Sequence, residues 1–211
     1  VCSGMGTANS MHICCEALGM ALPGTTPVAA NSDAMFDAAR RAGQRIVEMV
    51  WEDLKPRDIL TPAAFENAVK IILSVGGSVN AVKHLQAVAT EANCGADVYG
   101  MFEKFSKEVP VLTSVRPVGE HVIEVFDQAG GAKATLKQLE PILATHALTV
   151  TGKTLADNLK DYKVPDENII RPISHPISNQ PAIMMLRGSL APDFGIIKTG
   201  IVKRKSQKFT G

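Results

Sequence analysis

A cysteine stands beside a glycine-punctuated turn that leads into a helix. In the opening stretch VCSGMGTANSM, Cys2 precedes Gly4 and Gly6, and apolar spacing predicts a helix from about Ala8 to Met20. A thiol close to the positive end of a helix dipole has a lowered pKa, which favours the thiolate. Cys2 is therefore a candidate nucleophile or metal ligand. The stretch alone equally allows a small buried hydrophobe beside a tight turn.

The other three cysteines are predicted to be structural. Cys15 lies on the apolar stripe of the first helix, Cys14 is its neighbour, and Cys94 lies at a helix end. The chain has no CxxC pair, and this spacing suits neither a zinc ribbon nor a disulfide framework, so reduced, intracellular thiols are expected. His12 and Glu16 are four residues apart and could share a proton or a metal, or could lie on a solvated helix face.

A second candidate site is the stretch GGSVNAVKH, which begins at Gly76. Two glycines there precede Ser78 and Asn80 at a predicted helix start, where backbone N–H groups could bind a carboxylate or a phosphate. The alternative is plain N-capping by Ser78 without a ligand. The stretch VTGKTL lacks the GxxxxGK[ST] spacing of a phosphate loop, which disfavours nucleotide binding.

The composition is that of an ordinary globular protein. Of the 211 residues, 45% are hydrophobic and 20% are charged. A formal net charge of +1 and an aromatic content of 5% give no reason to expect a nucleic-acid partner. No apolar run approaches the roughly 20 residues of a membrane span.

The elements predict an α/β fold, a helix-rich domain around a small parallel sheet that becomes strand-rich toward the C-terminus. Helices are expected after Ser32, from Pro62, after Gly77, over 97–106 and on both sides of Gly130. Strands are expected at 109–112 and in NIIRP, AIMMLRG and GIIKTGIV. The predicted buried stripes of the first five helices are Met11, Cys15, Leu18 and Leu22; Met35, Ala39, Ala42, Ile46 and Met49; Phe65, Val69 and Ile72; Val82, Leu85 and Ala89; and Val98, Phe102 and Phe105.

Taken in order, many stretches resemble one known family. CSGMGTANSM, EALGMALPG, RIVEMVWEDLKPRDILT, GGSVNAVKHL, TVTGKTL, IIRP and LRGSLAPDFGIIK are similar to the iron–sulfur dehydratases, which include dihydroxy-acid dehydratase and the sugar-acid (arabinonate, xylonate) dehydratases. The resemblance runs almost end to end. Phosphogluconate dehydratase belongs to the same superfamily, but its cysteine turn differs from CSGMGTANSM.

The resemblance implies a hydro-lyase that converts 2,3-dihydroxy carboxylic acids to 2-keto-3-deoxy acids with a [2Fe–2S] cluster and Mg²⁺. Cys2 matches the last of the family's three cluster cysteines and would bind iron. The residues expected near the substrate are Thr7, Asn9, Ser78, Asn80 and Lys198. RIVEMVWEDLKPRDILT and IIRP favour the sugar-acid branch over the dihydroxy acids of branched-chain amino-acid synthesis, whereas CSGMGTANSM fits both.

Several of the family's functional residues have no counterpart in this chain. These are the other two cluster cysteines, an Asp and a Lys at the magnesium site, a further acidic magnesium ligand and the serine proposed as base. Residues 1–202 are therefore expected to be part of the N-terminal dehydratase domain, and 203–211 a basic, solvated linker toward an absent C-terminal β-barrel domain. The chain alone is expected to be inactive, and the alternative is a non-catalytic fragment or interaction module.

The resemblance also implies a setting for the whole protein. It is expected to be a homo-oligomer, dimer or tetramer, acting on a small molecule in the cytoplasm, or in the mitochondrion of a eukaryote.

Overall fold

A computed structural model describes residues 3–199 of the chain. Within that range helices outnumber strands, as expected, and a two-stranded sheet lies near the C-terminal end. The elements in chain order are α1 (Thr7–Ala17), α2 (Asp33–Trp51), α3 (Pro56–Ile59), α4 (Pro62–Ser74), α5 (Asn80–Ala92), α6 (Val98–Phe105), α7 (Ile123–Gln128), α8 (Gly131–Leu139), a 3-10 turn (Glu140–Ile142), α9 (Leu155–Leu159), β1 (Ile183–Gly188) and β2 (Ala191–Lys198).

Helix α4 forms the centre of the core. It packs against α1, α5, α6 and α8, and from Ala64 to Ser74 only Glu66 is not buried. A helix that is apolar on nearly all sides is typical of the interior of a domain. The expected stripes of α4, α5 and α6 are all buried, which confirms those predictions.

Two helix starts lie where local sequence predicts them. The Ser32 hydroxyl accepts a hydrogen bond from the Met35 N–H at 3.2 Å, and the Thr61 hydroxyl accepts one from the Ala64 N–H at 3.4 Å. Pro62 occupies the first turn of α4, where its missing N–H costs nothing. These caps are local, so they needed no knowledge of the tertiary fold.

The sheet is antiparallel, and the expected parallel pairing is wrong. β1 and β2 pair from Ile183 with Lys198 to Gly188 with Ala191, and only Ser189 and Leu190 connect the two strands. A connection this short can only make a hairpin, because parallel strands need a long crossover. The expected strand in GIIKTGIV contributes to β2, and its residues 200–202 lie outside the described range.

Two other expected strands do not form. Of residues 109–112, only Val111 makes an isolated bridge, with Ser178. The stretch NIIRP is not a strand; it makes one bond to this segment, from the Arg171 N–H to the Leu112 carbonyl at 2.9 Å. Pro172 follows and has no N–H to extend the pairing.

The buried face of α1 differs from the predicted stripe. Ile13, Cys14 and Ala17 are buried, whereas Met11 and Cys15 are only partly so. Steps of three and four residues fit two adjacent faces of a helix equally well. The positions of α4 and α8 decide between them.

Helix α2 stands apart from the core. Of its predicted stripe only Met49 is buried, and a groove of about 720 Å³ separates that stripe from α1. The helix is held at its C-terminal end, where the Arg45 side chain donates to the Val150 carbonyl at 2.5 Å. At 19 residues it is the longest helix between residues 3 and 199, and neither it nor any other helix there has the length and apolar character of a membrane span.

Candidate functional site

Three of the residues expected near the substrate form one hydrogen-bonded group. The hydroxyl oxygens of Thr7 and Ser78 lie 3.0 Å apart, and the Asn80 side-chain amide donates to the Thr7 hydroxyl at 3.0 Å. The Asn80 backbone N–H donates to the Ser78 hydroxyl at 3.2 Å. We call Thr7, Ser78 and Asn80 the hydroxyl cluster. It joins the first turn of α1 to the start of α5.

The glycine turn before α5 brings Ser78 against α1. Gly76 has φ +59°, a left-handed conformation that favours glycine. At Gly77 a β-carbon would lie 3.0 Å from the Ile72 side chain and 3.2 Å from the Ser10 hydroxyl, so a larger residue would push the turn outward. The Ser78 N–H donates to that Ser10 hydroxyl at 2.9 Å. Close backbone approach is therefore the function of these glycines in the fold.

The turn before α1 is held by the segment ahead of α7. The Met5 N–H donates to the Arg116 carbonyl at 2.6 Å, and the Ile123 N–H donates to the Ser3 carbonyl at 2.9 Å. A β-carbon at Gly4 would lie 2.7 Å from the Arg116 oxygen, so only glycine fits there. The Asn9 side-chain amide donates to the Gly4 carbonyl at 2.7 Å. Asn9 thus stabilises the turn from within α1.

The hydroxyl cluster lies where two helices begin. The N-cap residues are Gly6 for α1 and Val79 for α5, and neither makes a side-chain cap. The first turns of helices carry partial positive charge and unpaired N–H donors, which favour anions. With two hydroxyls and an amide in the same place, the arrangement suits a ligand that carries both a carboxylate and hydroxyl groups.

Lys198 ends the strand beside the glycine turn. It pairs with Ile183 in the sheet, and the neighbouring Ala182 side chain lies 3.6 Å from the position of a Gly76 β-carbon. Burial lowers the pKa of the Lys198 amine. The fold therefore places the Lys198 backbone close to the turn that delivers Ser78.

The described residues do not fit a metal cluster. Cys2 lies outside the described range. Burial raises the pKa of Cys14 well above its ordinary value and also raises that of Cys15, so both favour the thiol. The Cys94 thiol lies 3.6 Å from the Ala89 carbonyl, its hydrogen-bond acceptor. Between residues 3 and 199, no three His, Cys, Asp or Glu side chains are grouped as metal ligands would be.

His12 and Glu16 do not form a joint site. The Glu16 carboxylate is buried and accepts hydrogen bonds from the Gly24 N–H at 2.8 Å and the Thr26 hydroxyl at 2.7 Å. Desolvation raises the pKa of Glu16 to about 7, although these hydrogen bonds and the charge of Lys133 oppose the rise. His12 instead lines the groove toward α2, and burial lowers its pKa. The expected solvated helix face is also wrong for Glu16, which is buried. The one sequence signal for its hydrogen-bond donors was the turn-forming PGTTP stretch after the helix.

Comparison with known proteins agrees with the resemblance. The family profile described as "Dihydroxy-acid/6-phosphogluconate dehydratase N-terminal" matches residues 1–158. The chain is 44% identical over 203 residues to a dihydroxy-acid dehydratase of Syntrophobacter fumaroxidans, covering 95% of this chain and 36% of that protein. It is 43% identical over 213 residues to one of Ignicoccus hospitalis and 41% identical over 212 residues to one of Caldicellulosiruptor bescii, covering 100% of this chain and 38% of each relative.

The chain thus spans little more than a third of the length of these relatives. The profile match nevertheless covers most of the chain, including the turn before α1 and the hydroxyl cluster. The chain therefore belongs to the dihydroxy-acid/6-phosphogluconate dehydratase family.

Proposed function

We propose that this chain is part of the N-terminal domain of a hydro-lyase that acts on 2,3-dihydroxy carboxylic acids. The observation that carries the proposal is the 41–44% identity to three dihydroxy-acid dehydratases over at least 95% of the chain. These names favour the dihydroxy acids of branched-chain amino-acid synthesis as substrates, ahead of the sugar acids that two sequence stretches favour. Family membership also favours an enzyme over a non-catalytic interaction module.

The reaction removes water across two adjacent carbons. The C3–O bond breaks and the hydroxyl leaves, the C2 proton is lost to a base, and the resulting enol becomes a 2-keto-3-deoxy acid. The base is expected outside this chain. What the described residues can supply is binding and orientation of the substrate.

The hydroxyl cluster is suited to that task. The substrate carboxylate is favoured near the first turns of α1 and α5, and its hydroxyl groups can exchange hydrogen bonds with Thr7 and Ser78. The Asn80 side-chain amide donates to the Thr7 hydroxyl oxygen and thereby fixes the orientation of that hydroxyl group. The Lys198 ammonium group is the candidate for attracting the anionic substrate, because the Lys198 backbone lies close to the glycine turn before Ser78. We do not assign Asn9 a direct contact, because its amide donates to the Gly4 carbonyl.

Most of the metal ligands would have to come from outside the described residues. We infer that Cys2 supplies one thiolate to a [2Fe–2S] cluster, and that the family's other two cluster cysteines would supply the remaining thiolates. Those ligands, and the ligands for Mg²⁺, would come from parts of the longer relatives that have no match here. In this proposal residues 1–202 belong to the N-terminal domain, 203–211 lead to a C-terminal β-barrel domain, and the 211-residue chain alone is inactive.

The cellular setting follows from the chemistry. Cys14, Cys15 and Cys94 are free thiols in the fold, which suits a reducing compartment. We therefore propose that the enzyme acts in the cytoplasm, or in the mitochondrion of a eukaryote. That it is a homo-oligomer is proposed from the family resemblance alone.

The decisive experiment uses the longest polypeptide that its gene encodes, reconstituted with iron, sulfide and Mg²⁺. Keto-acid formation is measured from a branched 2,3-dihydroxy acid and from arabinonate, and we expect the branched acid to be preferred. Cys2→Ser should abolish both the cluster absorbance and activity, whereas the matched Cys94→Ser should retain both. Absence of product from both acids would contradict the proposal. Equal loss of cluster absorbance and activity in the two variants would also contradict it.

A further inference from the structure

Ser10 is a buried serine near the start of α1, and it bonds to the segment that leads into α5. It is 0% exposed, and its hydroxyl oxygen accepts a hydrogen bond from the Ser78 N–H at 2.9 Å. The Ser10 N–H donates to the Gly6 carbonyl at 3.0 Å, so this backbone group is engaged within the helix. The hydroxyl is therefore the part of Ser10 that connects α1 to Ser78.

Ser78 is bonded to α1 through two different atoms. Its N–H donates to Ser10, and its hydroxyl oxygen lies 3.0 Å from that of Thr7. Thr7 and Ser10 are three residues apart, so their side chains lie on the same face of α1. The bond to Ser10 fixes the backbone of Ser78, and the bond to Thr7 fixes the direction of its side chain. Together they define where the Ser78 hydroxyl lies.

The glycine turn cannot by itself fix the position of Ser78. Glycine has more accessible backbone conformations than other residues, and Gly76 and Gly77 directly precede Ser78. The Gly77 N–H donates to the Ile72 carbonyl at 2.9 Å, which attaches the turn to α4. The next N–H along the chain is that of Ser78, and its bond to Ser10 attaches the turn to α1. Without the Ser10 hydroxyl, the Ser78 backbone would lose this attachment.

We propose that Ser10 is a positioning residue for the substrate: by holding the Ser78 N–H, it places the Ser78 hydroxyl where that hydroxyl bonds to the substrate. The inference rests on the proposed function, in which the hydroxyl cluster binds a 2,3-dihydroxy acid. Ser10 is fully buried and does not itself contact the substrate. Its effect is transmitted through one backbone hydrogen bond, and so it requires a hydroxyl at position 78.

This role predicts a change in KM rather than in kcat. A hydrogen bond to the substrate that persists through the reaction contributes equally to the ground state and the transition state, so its loss raises KM and leaves kcat unchanged. A purely structural defect has the opposite signature, because a smaller folded fraction lowers the apparent kcat and leaves KM unchanged. The two roles of Ser10 are therefore separable by steady-state kinetics.

The test is a double-mutant cycle in the longest polypeptide that the gene encodes, reconstituted with iron, sulfide and Mg²⁺ and supplied with a branched 2,3-dihydroxy acid. Ser10→Ala and Ser78→Ala should each raise KM about fivefold, the size expected for one uncharged hydrogen bond. The double variant should have the KM of Ser78→Ala, because no hydroxyl is then left to position. Circular dichroism verifies that the variants remain folded.

Ser74→Ala is the matched control. Ser74 is also 0% exposed and ends α4 just before the glycine turn, but its hydroxyl has no hydrogen-bond partner among residues 3–199. Its removal should leave KM unchanged. Gly77→Ala is a second variant that keeps both serines, and its β-carbon would lie 3.2 Å from the Ser10 hydroxyl oxygen. It should push Ser78 away from Ser10 and raise KM as well.

Each contrary result has its own meaning. An unaltered protein that forms no keto acid would overturn the proposed function and this inference with it. A normal KM for Ser78→Ala in an active enzyme would overturn the role of Ser10 alone, because the Ser78 hydroxyl then does not bind the substrate. A fall in kcat at unchanged KM for Ser10→Ala, or an equal rise in KM in both backgrounds, would make Ser10 purely structural. If Ser10→Ala does not fold, a normal KM for Gly77→Ala would overturn the proposal.

Discussion

Thr7 and Ser78 are separated by 71 positions in sequence, yet their hydroxyl oxygens lie 3.0 Å apart. The glycine turn after α4 makes this possible, because it lets the backbone before α5 come against α1. The presence of this hydrogen bond therefore shows that the first turn of α1 and the start of α5 lie in contact.

The coupling between these hydroxyls is measurable. Thr7→Val and Ser78→Ala each remove one hydroxyl, and we expect an interaction free energy of about 1 kcal/mol in a double-mutant cycle of urea unfolding. Ser106→Ala is the matched control, since the Ser106 hydroxyl donates to the nearby Glu103 carbonyl at 3.1 Å, within its own helix turn. Combined with Thr7→Val it should be additive. Additivity of the Thr7 and Ser78 substitutions would disprove the hydrogen bond.

Glu16 should make stability fall as the pH rises toward neutrality. Its pKa in the fold is raised to about 7 from an ordinary value of 4.5, so the folded state keeps a proton that the unfolded chain has lost between these values. Below about pH 4.5 Glu16 makes its full contribution to the free energy of unfolding. This contribution falls between about pH 4.5 and pH 7, by on the order of 3 kcal/mol in total, and does not change further at higher pH. Comparing Glu16→Gln with the unaltered protein in urea unfolding from pH 4.5 to 8 isolates this slope.

Thr26→Val tests the direction in which a hydrogen bond shifts the pKa of Glu16. It removes a hydrogen bond to the carboxylate and should move the decline to higher pH, because less then opposes desolvation. A pH-independent difference between the Glu16→Gln variant and the unaltered protein would show that Glu16 titrates normally.

Asn67 should be among the costliest polar residues to replace. It is fully buried, and its side chain donates to the Ala144 carbonyl at 3.1 Å and accepts from the Ala144 N–H at 2.8 Å. Asn67→Leu leaves the Ala144 N–H unpaired, although the Ala144 carbonyl still accepts from the Ala147 N–H at 3.1 Å. The substitution should lower the free energy of unfolding by about 2–4 kcal/mol. Ser74→Ala, at a buried hydroxyl without a partner among the described residues, should cost less than about 1 kcal/mol. Equal losses in thermal or urea unfolding would refute the distinction.

Gly19 should not tolerate even alanine. Its φ is +77°, and a β-carbon would lie 2.7 Å from the Leu148 carbonyl oxygen. Gly19→Ala should therefore destabilise the fold by about 2 kcal/mol or more, through both strain and the clash. At Gly6 a β-carbon would meet nothing within 4 Å, so Gly6→Ala should cost under about 1 kcal/mol. Urea midpoints of the two variants provide the comparison.

Thiol labelling tests the face of α1 that is buried. In a Cys2→Ser background, a water-soluble disulfide reagent should modify the partly exposed Cys94 and Cys15 in the native state and leave Cys14 unmodified, because Cys14 has no exposed surface and its pKa is raised. Denaturant should release one further reactive thiol. Rapid native labelling of Cys14, identified by peptide mass, would mean that α1 is rotated toward the originally predicted stripe.

Local sequence signals predicted where helices begin better than they predicted which helix faces pack against each other. Ser32 and Thr61 mark helix starts that depend only on neighbouring residues, and both are observed. The buried side of α1 depends on where α4 and α8 lie, and so the stripe through Cys15 was predicted in place of the observed face, which contains Cys14. The antiparallel sheet follows from the two residues between its strands, a signal that was present in the sequence.

The candidate site shows the same division. Thr7, Ser78 and Asn80 were each selected from their own motif, but periodicity cannot place two distant motifs in contact. The burial of Glu16 was missed because a charged residue four positions from a histidine suggests a solvent-exposed pair. Its partners, Gly24 and Thr26, are supplied by a turn that doubles back on the helix.

The burial of α1 by helices that follow it in the chain has a consequence for synthesis on the ribosome. Helices α4, α5 and α8 bury it, and all of them emerge later from the exit tunnel. At about 5–20 residues per second, the ribosome needs roughly 6–25 s to proceed from the end of α1 to the end of α8. During that interval Ile13, Cys14 and Ala17 have no native partner from α8, so a nascent-chain chaperone that shields short apolar helices should increase the yield of folded protein.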